Sequence, residues 1–499
     1  MADAPIEFSE EVLDSLSSGS IERRLEERER AEEPIETTKL LGPEHQPLEG
    51  VVLFDPNQQY KSASSKSDKP SISALENIPP VQGALIFLRN QLGPDIFALP
   101  YLFFLGGIFP TFIIIILAAI LYNHTLIRLL ESADRDSSEK ISLLELGRRI
   151  VGPKFRKTIA VVVLIAQFTV AITNYIFLYQ FVDRISCNLE WSFFCNSRIE
   201  TFMFVYALLF VILLLKSYNR THLMTMWIAI ITSVLLLVVF IDDFVVMFSA
   251  SGAKGLSLVG SNPSDLLIVV GVAFYFIEGT NTVTNLYATS DDPNQTAALI
   301  FRALYVIVFV YSLFGFPGYL AYGTDTQMIM ILNLGVKPFW VVTQWVIWFF
   351  FLLSASDGLV PFWKDLRSWI KKREAGIPMR EGGSPAGEAA SPEPVANFSF
   401  ERNVTLFCLK ALTIGAVLLI ASFITDFVTF MSLAGNFMLV WLVAIIPLTI
   451  YQYGSGSHQS TGKIVLRIGL IVLSCILGKM GICYCLYRLI VGWNPSESA

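Results

Sequence analysis

The sequence predicts an all-α integral membrane protein of about 11 transmembrane helices: a 5+5 inverted repeat with broken first and sixth helices, plus one extra C-terminal helix. Three observations carry that expectation. Of the 499 residues, 54% are apolar, and they gather into charge-free blocks of about 20, the length that crosses ~30 Å of hydrocarbon. The first block breaks its own helix at Gly93-Pro94-Asp95, since Gly93 has no Cβ and Pro94 removes a backbone donor and excludes the α region for the residue before it. The block opening the second half is interrupted as well, at Phe274 to Thr282, where Gly279 follows the intramembrane acid Glu278. Breaks at corresponding positions of two halves are the mark of an inverted-repeat secondary transporter, whose half-helix ends and bared carbonyls form a site at the membrane midplane.

In chain order, residues 1–80 read as a cytoplasmic, largely disordered N-terminal tail. Ser20 to Glu33 places Glu and Arg at helical spacings and stops before Pro34, so a short solvated helix fits there; the remainder is rich in Ser, Pro, Asp and Lys and offers too little apolar surface to fold. Glu36 to Leu41 resembles an acidic dileucine sorting signal, an address read by a receptor. The first apolar block is preceded by acidic and polar residues, so no signal peptide is expected. The membrane domain covers 81–490, with blocks at 81–102, 108–127, 158–182, 201–215, 223–241, 266–288, 303–322, 338–362, 404–424, 428–450 and 464–490. Within it, 374–397 is rich in Gly, Pro, Ala and Glu and reads as a flexible cytoplasmic linker.

The formal charge of −6 conceals an uneven distribution. With the N-terminus cytoplasmic, the inner loop 128–157 carries Arg128, Arg135, Lys140, Arg148, Arg149, Lys154, Arg156 and Lys157, whereas the outer loop 183–200 carries Arg184 and Arg198. The sequons at Asn219, Asn294 and Asn397 then fall on the cytoplasmic side and stay unused. Cys187 and Cys195 share one outer loop, where a disulfide can form; Cys475, Cys483 and Cys485 sit in the last span as small apolar residues. His45, His124, His222 and His458 form no metal spacing, and no phosphate loop or nucleophile elbow is visible, which argues against an enzyme. Basic residues cluster beside the membrane rather than on an aromatic-interleaved face, which argues against nucleic acid.

The ordered motifs also carry a resemblance. Gly93 to Pro100, Phe274 to Gly279, Gly315 to Gly323, Ile331 to Leu334, Pro361, Ser432 to Gly435 and Ile446-Pro447 follow the order and spacing of the amino acid and auxin permease family, which the chain resembles from about residue 80 to 490 and which belongs to the LeuT-type transporters. That resemblance implies a substrate pocket between spans one, three, six and eight: Gly93 and its neighbours receive a carboxylate or amine, Phe274, Phe276, Glu278, Gly279 and Thr280 close the other side, and Tyr175 of span three faces the pocket beside Thr169 and Thr173. It further implies that hydroxyls of span eight, here Ser354 and Ser356 near Asp357, can hold sodium with carbonyls of the first span.

Asp95 departs from the family, which has a second glycine there. A fixed anion would repel a substrate carboxylate at low dielectric, so Asp95 either binds a substrate ammonium, holds a coupling proton or sodium, or pairs with a base such as Arg89 or Lys410. Glu278 stands deeper and is a candidate for proton handling, because a desolvated carboxyl can load and unload a proton near neutral pH. Asp357, near the inner end, has a plainer reading as a partner of Lys364 or Arg367. The expected activity is secondary active transport of amino acids by alternating access, with a proton as the coupling ion or sodium as the alternative, no cofactor, and a monomer in the plasma membrane or an endolysosomal or vacuolar membrane. A carrier of cationic amines recognised by Asp95, or an amino acid sensor signalling through its tail, are the alternatives.

Overall fold

The structure, a computed structural model, describes residues 78–91, 93–135, 142–191, 195, 197–215, 221–248, 255–335, 337–355, 359, 363, 398–454 and 461–493. The tail with its dileucine motif and the linker at 374–397 lie outside the described residues, as do Asn219, Asn397, Ser356 and Asp357. The described residues form a helical assembly with one isolated parallel bridge among them, Ile78 to Ser290.

The chain begins with α1 (Pro80–Gln91), a 3₁₀ turn (Pro94–Ala98) and α2 (Leu99–Gly106). There follow α3 (Ile108–Arg135), the short α4 (Leu143–Ile150), α5 (Pro153–Asn188), α6 (Arg198–Leu215) and α7 (Thr221–Phe248). The second half opens with α8 (Leu266–Ile277) and α9 (Thr280–Thr289), then α10 (Pro293–Tyr322), α11 (Pro338–Ala355), α12 (Phe398–Phe423), α13 (Phe427–Met438), a π-helical stretch (Leu439–Ile445), α14 (Ile446–Gly454) and α15 (Thr461–Trp493). Among the described residues, six segments are long and apolar enough to cross a membrane: Ile108–Asp134, Pro153–Asn188, Pro263–Thr289, Pro293–Asp325, Phe427–Gly454 and Thr461–Val491. Pro94–Gly106, Pro338–Leu353 and Phe407–Phe423 are shorter apolar helices. The outer faces of the long segments carry exposed Ile116, Leu117 and Ile120 on α3 and Phe309 on α10, a pattern suited to lipid and costly in water.

Small residues let the site-bearing helices approach closely. A Cβ on Gly435 of α13 would lie 1.8 Å from the Gly271 carbonyl oxygen of α8, so this crossing exists only with backbone against backbone. Beneath the first break, Phe97 meets Phe177 of α5 at 6.1 Å, Phe314 of α10 at 5.9 Å and Phe351 of α11 at 6.1 Å between ring centroids, three aromatic contacts that hold the 3₁₀ turn in place.

One end of the bundle is closed by polar contacts. Arg488 of α15 donates from Nη1 to Asp265, ahead of α8, at 3.1 Å, and its Nε lies 3.4 Å from Asp426, the N-cap of α13. Tyr484 adds a hydrogen bond to Asp265 at 2.8 Å. Beside α2, the Gly260 N–H donates to the Gly106 carbonyl (2.9 Å) and Ile108 N–H to Ser257 (3.3 Å). At the opposite ends of the half-helices, Ile78 N–H donates to Thr289 (3.1 Å) and Asp291 N–H to Ile78 (3.3 Å), tying the entry to α1 against the exit of α9. Cys187 and Cys195 are joined by a disulfide, with Cα atoms 4.6 Å apart.

Candidate functional site

Both breaks expected from the sequence are present, and each has its own chemistry. At the first, Gly93 is extended (φ −90°, ψ −176°), the conformation that Pro94 imposes on its predecessor. Beyond it the backbone does not stay unwound. Pro94 starts a tight 3₁₀ turn, closed by Ile96 N–H to the Gly93 carbonyl at 3.4 Å, which runs straight into α2. The tighter i→i+3 pattern recovers hydrogen bonds that an open segment would leave unmade.

Breaking two helices inside an apolar medium frees backbone groups that must find partners. The Tyr311 hydroxyl of α10 donates to the Gln91 carbonyl (2.6 Å) and reaches the Phe276 carbonyl (3.4 Å), one freed acceptor from each break. Gln91 Nε2 donates to the Glu278 carbonyl (3.0 Å), and Gly279 N–H donates to the Tyr122 hydroxyl of α3 (3.0 Å). Thr280 Oγ1 donates to the Leu442 carbonyl (3.3 Å), within the π-helical stretch before Pro447, where the ladder has an extra residue and carbonyls to spare. The two breaks are thus sewn to each other and to α3, α10 and the π-helical stretch.

The two carboxylates are treated differently. Glu278 Oε1 accepts the Thr280 N–H at 2.8 Å and so caps the first turn of α9, where a negative charge meets the positive end of the helix. This places the side chain expected to handle protons in a local structural bond. Asp95 is 8% exposed, and its Oδ1 is buried with no hydrogen-bond partner. No ion pair among the described residues includes it, so the expected pairing with Arg89 or Lys410 is not found; Lys410 instead lies 5.3 Å from the Trp363 ring centroid. The neighbours of Asp95 are hydroxyls. Tyr275 lies close to both Asp95 and Thr173, yet its Oη makes no hydrogen bond at standard distance, and Tyr311 is within electrostatic reach of the same carboxylate. A buried carboxylate with a free oxygen among such hydroxyls can accept a proton or a cation, since as a bare anion it would cost several kcal/mol.

The remaining residues expected at the site divide by location. Gly93 belongs to this cluster: a Cβ there would lie 3.2 Å from Asp95 Oδ2. Gly279 is fixed by space, with Gln91 Nε2 at 2.6 Å and a Phe87 ring carbon at 2.8 Å from its would-be Cβ. Phe276 packs on Tyr311 at 4.9 Å, and Phe274 is buried. Tyr175 is fully buried on α5 with an unpartnered hydroxyl. Ser354 lies in α11, and its side chain is outside the described residues together with Ser356 and Asp357. The sequence does not single out Tyr122, Tyr275, Tyr311 or Gln91. A tyrosine or glutamine within an otherwise apolar block is the available signal, because its polar tip needs a partner there.

Similarity to known proteins supplies the family. Over residues 76–491 the chain matches the family model described as transmembrane amino acid transporter protein. It is similar to vacuolar amino acid transporter 3 of Saccharomyces cerevisiae, 20% identical over 83% of this chain and 57% of that protein, and to vacuolar amino acid transporter 3 of Schizosaccharomyces pombe, 21% identical over 56% and 42%. Amino acid transporter AVT3B of Arabidopsis thaliana is 22% identical over 42% of this chain and 44% of its own length. The chain therefore spans about half the length of the curated relatives it matches. Among solved structures, Mhp1, a nucleobase-cation-symport-1 family transporter in a closed conformation with bromovinylhydantoin bound, is 16% identical at a TM-score of 0.47, covering 84% of this chain and 92% of that one. With a membrane-spanning helical domain, two broken helices and a family match over most of its length, the chain belongs to the transmembrane amino acid transporter family.

Proposed function

We propose that the chain is a secondary active transporter that carries amino acids by alternating access and draws on a proton gradient, with substrate and proton meeting at the two helix breaks. The observation behind this reading is the Asp95 carboxylate, buried between the breaks with Oδ1 unpartnered. An amino acid brings an ammonium that a buried carboxylate can receive. A proton on Asp95 serves the complementary half of a cycle, removing a buried charge when substrate is absent. The test is uptake into proteoliposomes of purified protein under an imposed proton gradient. Gradient-driven accumulation of amino acids, lost in Asp95→Asn, supports the proposal; uptake indifferent to the proton gradient and driven by sodium would transfer coupling to the hydroxyls of Ser354 and Ser356.

A second reading, favoured by the same unpartnered oxygen, is a carrier of cationic amines. Competition decides between them, since decarboxylated amines displace a substrate held mainly by Asp95 and fail against one that also needs its carboxylate. The names of the fungal relatives motivate a vacuolar or endolysosomal membrane with the N-terminus in the cytoplasm. Protease protection of a terminal tag in sealed organelles tests both parts.

A further inference from the structure

Away from the breaks, α15 holds an arginine that the proposed transport site does not use. Arg467, in the second turn of α15, is 5% exposed. Its Nε donates to the Lys463 carbonyl at 3.0 Å, but Nη1 and Nη2 are buried with no hydrogen-bond partner. The guanidinium carbon lies 4.9 Å from the ring centroid of Tyr451 on α14, and that of Arg128 on α3 lies 5.3 Å from the same ring. Arg128 is paired with Glu131 at 3.0 Å. Two cations from two helices thus share one aromatic ring, and of the two only Arg128 has a carboxylate partner among the described residues.

The ring does not complete Arg467. A π face attracts the flat side of a guanidinium, whereas the Nη–H bonds lie in the guanidinium plane and need oxygen acceptors there. Leaving charged donors buried and unmatched costs more than leaving a neutral group so. A phosphate matches the requirement, since two of its oxygens fit the planar fork and its charge offsets the second cation. The surroundings point to a lipid as its bearer: Val465, Leu466 and Ile468, adjacent to Arg467 on α15, are 62%, 59% and 55% exposed, and Tyr453 beyond Tyr451 is 65% exposed. Basic pockets between membrane helices are known seats for anionic headgroups.

We infer that Arg467 and Arg128 bind the phosphate of an anionic lipid headgroup against Tyr451. Free inorganic phosphate offers the same chemistry, so the test separates the two. Full-length protein is placed in phosphatidylcholine nanodiscs, and its thermal unfolding midpoint is followed as phosphatidylserine is introduced, or as inorganic phosphate is added at matched phosphate concentration. Phosphatidylserine should raise the midpoint, phosphate should not, and the lipid's apparent affinity should fall about tenfold or more in Arg467→Gln. Arg128→Gln should weaken it less, because that guanidinium already has Glu131. Equal stabilisation by phosphate overturns the lipid assignment, and unchanged lipid response in both variants overturns the site. Should Arg467→Gln not fold, Arg467→Lys supplies the reading: it keeps the charge and loses the fork, so lipid affinity equal to that of the parent counts against the inference.

Discussion

The two helix breaks place an acid at nearly the same point of each half, and they use it in opposite ways. In the second half Glu278 is two residues from the N–H it caps, so its charge is spent on the first turn of α9 at 2.8 Å. In the first half the acid follows the proline that makes the break, the 3₁₀ turn closes its own backbone bonds, and Asp95 is left with a free oxygen. Sequence position and residue type do not distinguish a structural carboxylate from an available one; the local hydrogen-bond account does. A helix start offers N–H donors to a side chain just before it; Glu278 holds that position at α9, whereas Asp95 sits inside its turn.

That contrast can be broken by a pair of isosteric changes. Asp95→Asn should have the largest effect, lowering gradient-driven uptake in proteoliposomes about tenfold or more, since it removes the carboxylate with a free oxygen at the breaks. Glu278→Gln keeps a carbonyl oxygen for the cap and should leave uptake within about twofold; equal losses in both variants would erase the distinction. Next come the glycines, read by thermal unfolding. Gly279→Ala drives a Cβ to 2.6 Å from Gln91 Nε2 and 2.8 Å from the Phe87 ring and should cost about 1–3 kcal/mol. Gly93→Ala meets a movable carboxylate at 3.2 Å, so it should cost little stability and instead weaken substrate affinity several-fold. Tyr311→Phe strips the donor from the Gln91 and Phe276 carbonyls and should cost about 1–2 kcal/mol.

The smallest effect lies outside the breaks, at a surface carboxylate that serves as a control. Hydrogen bonds from Arg148, then Arg149, hold the Glu145 carboxyl below the usual carboxylate range. A depressed pKa gives stability that is present above the unfolded-state value and lost as pH falls through the folded one. Glu145→Gln should therefore lower the melting temperature by about 1 °C at neutral pH, the scale of an exposed pair, with the difference from the parent vanishing in acid.

Much of this was legible in the chain, for reasons that differ by residue. Gly93-Pro94 and Gly279 announce their breaks because proline and glycine act on the backbone locally. The crossing of Gly271 and Gly435 was not foreseen, because close approach is a property of two helices 164 positions apart, and only one of these glycines stood in a recognised motif. Asp95 stands out in the sequence, but whether a base meets it depends on tertiary placement, and no ion pair among the described residues brings Arg89 or Lys410 to it. Tyr311 and Tyr122 reach the breaks from other helices, so nothing near them in sequence reveals their targets. The cap at Glu278 is readable too, being an acid two residues before a helix start.

Tyr311 and Gln91 also constrain how the molecule can move. Their hydrogen bonds run from α10 to both breaks and from α1 to the carbonyl just before α9. A motion that swung α1 alone would have to rupture that stitching in a medium with no water to replace it, whereas one carrying α1, α8 and α10 together would leave every one of these bonds intact. Mechanically, the polar seam makes three separate helices behave as a single lever.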